Sequence, residues 1–176
     1  MTPGGHRRFE RRTIERLSAN RTAGVRPLAS LGAGSDRLTR AYRRSYATGP
    51  NGFTTLADDD GASLERYRQD GRLLVDALVA HLDAEPSDEV ARSAAEARAA
   101  SLVDDLAHRM AANGTSLTEA VGLFVAARRP FLAELAGLGR RRALDAARLA
   151  VLYEDASGLL DRLLVRLVRT YQEPGS

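Results

Sequence analysis

From Ser63 almost to the C-terminus, apolar residues recur at three- and four-residue spacing, which gathers them on one side of a 3.6-residue helical turn. Breaks in the pattern divide the stretch into four long helices. The first, over about 63–83, carries Tyr67, Gly71, Leu74, Leu78 and Leu82 as its inward stripe. Pro86-Ser87 opens the second, about 87–112, with Val90, Ala94, Ala97, Leu102, Leu106 and Met110 as its core candidates. Asn113-Gly114 stops it, because a chain leaving a helix commonly passes through a left-handed residue. Ser116-Leu117-Thr118-Glu119 has the form of a capping box, in which two otherwise orphaned N–H groups are satisfied reciprocally. It starts a third helix with Leu117, Val121, Phe124, Leu132, Leu135 and Leu138 inward, and Gly137 and Gly139 are expected to end it. The fourth, about 141–172, bears Leu149, Leu152, Ala156, Leu160, Leu163, Leu167 and Tyr171. Four long helices with short connections predict an antiparallel bundle.

Pro130 lies inside the third helix, where it removes one N–H bond and crowds the carbonyl of Ala126, at a cost of about 3 kcal/mol. The reading preferred here is a tolerated kink around the core; the competing one is a kink that opens a cavity or presents Arg128 and Arg129. Ahead of the bundle the pattern is weaker. Ser35 to Tyr46 reads as a short helix with Leu38, Tyr42 and Tyr46 in line, whereas residues 19–34 read as a linker and 48–52 and 58–61 as breakers.

Composition narrows the picture. Of 176 residues, 44% are apolar but only nine are aromatic and none is tryptophan, so the core is built from Leu, Val and Ala. The absence of cysteine excludes disulfides, thiolate catalysis and Cys-based metal sites. No apolar run approaches the roughly 18 residues of a membrane span, and no signal-like segment opens the chain, so a cytoplasmic location is expected. Charge is segregated: residues 1–48 hold eleven arginines and three acids, a net of +8, and the remainder sums to −5. A basic head on an acidic body points to a nucleic-acid-facing end.

Candidate chemistry is sparse. His81 and His108 fall near the ends of the first two long helices without the repeated carboxylate and histidine partners that a bundle metal site requires, so capping or surface roles are expected and no metal. Asp104-Asp105 and Glu154-Asp155 are adjacent, hence about 100° apart around a helix, and cannot form a shared acid–base site. Asp58-Asp59-Asp60 lacks the alternation and closing glutamate of a calcium loop. No phosphate loop, nucleophile elbow or dinucleotide fingerprint is present. The reading is no enzyme and no cofactor.

Thr2-Pro3-Gly4-Gly5-His6-Arg7-Arg8-Phe9 combines a proline–glycine turn with a short basic segment, and Thr13-Ile14-Glu15-Arg16-Leu17 follows as a turn or two of helix. This phrase resembles the wing and following helix of MerR and excisionase-type DNA-binding domains. The resemblance implies phosphate contacts by His6, Arg7 and Arg8, with Gly4 and Gly5 letting the backbone approach the duplex. It also implies an upstream helix-turn-helix, which does not precede Met1; the chain is therefore expected to be a truncated form that binds DNA weakly and without sequence preference. Gly114 to Val121, Arg128-Arg129-Pro130-Phe131-Leu132 and Leu159 to Leu164 resemble the N-terminal sensor module of RsbRD-type stress regulators. That likeness implies a helical, non-enzymatic module that dimerises and receives a signal.

Together these readings predict an all-α chain: a partial wing over 1–18, a linker over 19–61, and a bundle over 62–176. The expected function is a transcription regulator with a sensor and dimerisation domain; the alternative is a helical interaction or stress-sensor module without DNA binding. Homodimerisation is expected because Leu159, Leu160, Leu163, Leu164, Val165, Leu167 and Val168 cover more than one stripe of the last helix.

Overall fold

The structure is a computed structural model and describes residues 33–48, 61–141 and 144–173, together with Leu28 and Leu31. Five helices follow one another in it: α1 Ser35–Thr48, α2 Gly61–Asp83, α3 Glu89–Ala112, α4 Leu117–Arg140 and α5 Ala146–Gln172. No strand occurs among the described residues. The expected all-α bundle is what forms, with α1 added to it. Leu38 and Ala41 of α1 are buried, and so are Leu28 and Ala33 ahead of it, so the segment read as linker supplies part of the core. Leu28 is tied down by its N–H, which donates to Asp83 Oδ1 at 2.7 Å.

Local chemistry sets the helix ends. Asp88 caps α3 by accepting from the Ala91 N–H at 2.9 Å, and Asp145 caps α5 by accepting from the Arg148 N–H at 2.9 Å. At the far end of α3, Gly114 has φ 74°, the Thr115 N–H donates to the Met110 carbonyl, and the Gly114 N–H donates to that of Ala111. This paired arrangement satisfies the carbonyls left open at a helix terminus. The capping box forms as read: the Glu119 N–H donates to Ser116 Oγ at 3.2 Å, and the Ser116 N–H donates to Glu119 Oε2 at 2.8 Å. These contacts hold the Glu119 carboxyl below its ordinary pKa, through the Ser116 hydroxyl first and the backbone N–H second.

Helices that follow one another through α2–α5 reverse direction, and the packing order is α2–α3–α5–α4, with α1 seated between α4 and α2. One adjacent pair runs parallel. Along the α3–α5 seam, Arg92 meets Asp155, Glu96 meets Arg162 and Asp104 meets Arg166, so both helices advance together. The Thr170 hydroxyl adds a bond to Asp104 at 2.7 Å, and the Tyr171 hydroxyl donates to the Thr115 carbonyl. Under these polar contacts α3 buries Ala95, Ala99, Val103 and Ala107 at four-residue spacing. Small side chains let the α5 leucines Leu159, Leu163 and Leu167 fill the space opposite.

Several sequence expectations are corrected. On α3, Val90 is 82% exposed, and Ala94 and Ala97 also face solvent. Nine of the 24 residues of α3 are alanine and they occur on every side, so apolar periodicity could not identify the inward face. Gly71 is exposed, while Val75, Ala77 and Val79 join Leu78 and Leu82 in the core. α4 runs through Pro130, Gly137 and Gly139 to Arg140, and Phe131, fully buried beside the proline, is a core residue the spacing missed. The surplus face of α5 is used inside the chain. Leu164 and Val168 pack on the core, and Val165 alone of that set is exposed. Leu164 and Val168 stay partly exposed beside Val165.

Candidate ligand-binding site

α2 and α4 make no backbone approach to each other, and α1 bridges the space between them. Beneath that bridge lies a cavity of about 620 Å³. Such volumes hold drug-sized ligands. Its apolar wall comes from Leu74, Val75 and Leu78 of α2, Leu102 and Leu106 of α3, Phe124 and Ala127 of α4, and Leu160 of α5. Val75, Leu78, Phe124 and Leu160 are buried and form the floor, whereas Arg43, Glu65, Arg68, Gly71 and Arg72 are exposed and stand at the mouth. Thr39 and Tyr42 of α1 and Tyr67 of α2 add hydroxyl groups to the lining.

The mouth is rich in cations. Glu65 serves two of them, accepting from Arg72 at 2.7 Å and from Arg68 at 3.4 Å. Asp70 is paired with Arg109, and Arg128 with Asp161 at 3.1 Å. Arg43 makes no ion pair among the described residues. With those partners counted, the lining keeps an excess of positive charge, and no acid of the lining lacks a cation. Gly71 lies within α2 at the opening, where a Cβ would meet nothing within 4 Å. The cavity also touches the turn of α4 just before Pro130, so Arg128 is presented at the mouth while Arg129 points to solvent.

A second polar cluster lies away from this cavity. His81, 2% exposed, was expected at a cap or on the surface and instead is buried between α2 and α3. Arg92 Nη2 donates to its Nε2 at 3.0 Å and to both oxygens of Asp155 at 2.7 Å. A guanidinium carries donors only, so the ring proton falls on Nδ1, which donates to the Arg92 carbonyl at 3.2 Å. The miss has a simple cause: no spacing rule links His81 to Arg92 or Asp155, which meet only through packing. His108 is exposed. No group of His, Asp and Glu able to hold a metal occurs among the described residues.

The neighbouring acids behave as the geometry requires. Arg166 first, then Thr170, hold the Asp104 carboxyl below its ordinary range against the opposing effect of burial, while Asp105 is exposed. Arg162 does the same for Glu96. Asp83 goes the other way: burial raises it, and the bond from Leu28 N–H only partly offsets that.

Gly4, Gly5, His6, Arg7 and Arg8, the residues read as phosphate contacts, lie outside the described residues. No helix among the described residues is long and apolar enough to cross a membrane. Comparison with protein-family models, curated proteins and solved structures gives no match to the chain.

Proposed function

We propose that the chain is the helical sensor module of a cytoplasmic DNA-binding regulator, not an enzyme. In this reading the bundle takes up a small, largely apolar ligand between α2 and α4, and the basic N-terminal segment contacts DNA phosphates. The observation that carries it is the 620 Å³ cavity roofed by α1, since the roof is the described helix that follows the basic segment in sequence. A ligand touching Tyr42 and Arg43 on one side and α2 on the other would favour the docked position of α1 by its differential contacts. The exposed Arg40 and Arg43 of α1 extend the positive charge of residues 1–48 onto the bundle surface.

The DNA half is tested by fluorescence anisotropy of a labelled duplex titrated with the full chain across a salt series. Binding is expected to be weak, sequence-indifferent and steeply salt-dependent. Replacing Arg7 and Arg8 together by alanine should lower the slope of log affinity against log salt by about two. An unchanged slope would remove DNA from the reading and leave a sensor module that acts through protein contacts.

A further inference from the structure

We infer that the cavity selects an amphipathic monoanion: an apolar chain or ring carrying a single carboxylate or comparable anionic head. The inference rests on the sensor reading above and assigns the class of its ligand. The interior selects for apolarity. Its floor offers hydrocarbon from Val75, Leu78, Phe124 and Leu160, while the hydroxyls of the lining, on Thr39, Tyr42 and Tyr67, belong to α1 and the first half of α2, so a sugar or nucleotide reaching the floor would lose its water contacts there without replacement. Leu102 and Leu106, half-buried on α3, continue the same surface outward.

The mouth selects for negative charge. Four arginines, Arg43, Arg68, Arg72 and Arg128, line it against two acids, Glu65 and Asp70. Asp70 is already neutralised by Arg109, Arg128 is paired with Asp161, and Glu65 is shared between Arg68 and Arg72, which leaves the mouth with a net positive charge. An anionic head therefore meets guanidinium donors with spare N–H groups, and its fork-like geometry suits a carboxylate. A cationic head would meet repulsion from the same groups. One head is the stoichiometry the arrangement supports, because the arginines sit on the exposed side and the opposite end of the cavity is apolar.

The orientation follows. The tail points between α2 and α4 toward Leu160, and the head stays at the rim formed by α1 and the first half of α2. Gly71 keeps the passage clear: a side chain there would occupy the opening without striking the protein.

The test compares three ten-carbon probes on the full chain: decanoate, 1-decanol and decyltrimethylammonium, each below micelle formation. Affinity is read by the rise in Tm with probe concentration, since a ligand that binds only the folded chain raises it by mass action. Decanoate should bind about tenfold more tightly than decanol, and the cation should produce no rise. In the double variant Arg43→Gln/Arg72→Gln, whose sites are exposed, the decanoate advantage should fall to less than threefold while decanol binding is retained. Gly71→Phe, which fills the entrance, should weaken both probes. Equal binding of decanoate and decanol would overturn the anionic assignment and leave the apolar sensor cavity standing. No binding of either probe to the folded chain, verified by circular dichroism, would overturn the sensor reading itself.

Discussion

Replacing Arg92 by leucine should destabilise the bundle by about 2–4 kcal/mol, far more than a surface arginine warrants. The magnitude follows from what the side chain leaves behind. His81 is 2% exposed, and Arg92 Nη2 is the donor to its Nε2. Stranding a buried acceptor costs about 1–3 kcal/mol. The pair with Asp155 adds about 1 kcal/mol at most, because the Asp155 side chain keeps 29% exposure and water can replace the guanidinium. Urea unfolding followed by helical circular dichroism would read the loss as a lower midpoint at unchanged slope. In a chain of this size it corresponds to a fall of roughly 10 °C in Tm. The double variant His81→Leu/Arg92→Leu should be more stable than Arg92→Leu alone, since it removes the stranded acceptor together with its donor. A loss below about 0.5 kcal/mol for Arg92→Leu, or effects of the two changes that simply add, would refute the account of a coupled buried network.

Other consequences are open to direct measurement. Gly71→Ala and Gly122→Ala should each stabilise by about 0.5–1 kcal/mol, because both glycines lie inside helices and an added Cβ meets nothing within 4 Å. A destabilised Gly71→Ala in thermal unfolding would mean that the opening is not clear. Phe131→Ala should cost about 3–5 kcal/mol in the same assay, since the ring is fully buried and its loss leaves a void; a cost under 1 kcal/mol would contradict its place in the core. Asp104 and Glu96 have folded-state pKa values below their ordinary ones, so their stabilisation is complete above the carboxylate range and disappears as pH falls through the folded values, below about pH 4. Asp104→Asn should therefore flatten the acid limb of the stability curve. Asp83 has the opposite sign: its raised pKa means that stability declines as pH rises from its ordinary value through the higher folded one, above about pH 4. Asp83→Asn, which keeps an acceptor for the Leu28 N–H, should be at least as stable as the parent at pH 7.

The division between what was readable along the chain and what was not follows the range of each interaction. Capping and termination act over a few residues, so the Ser116–Glu119 box and the left-handed Gly114 stood in the sequence and formed as read. The inward faces of α2, α4 and α5 were also legible where leucine alternates with charge. α3 was not, because alanine is compatible with either side of a helix and only the approach of α5 decided that Ala95, Ala99 and Ala107 lie inside and Ala94 and Ala97 outside. Gly137 and Gly139 failed as stop signals because packing of Leu135 and Leu138 carries α4 past them, outweighing a propensity cost of about 1 kcal/mol each.

The candidate site depends on tertiary structure most of all. Arg43, Arg72, Leu106 and Leu160 belong to four helices and share no spacing that a local rule could detect. They converge because α2 and α4 each prefer other neighbours and leave a gap that α1 spans. The amino-acid order by itself determined that the bundle is helical, where two of its turns fall, and that its charge is divided between a basic head and an acidic body. Only the packed structure decided that α3 and α5 run side by side in parallel, that His81 is buried, and that an apolar cavity opens beneath α1. Helix formation is governed by contacts three and four residues apart, whereas cavities and ion-pair seams depend on which helices become neighbours, and that is settled by the shape of whole faces.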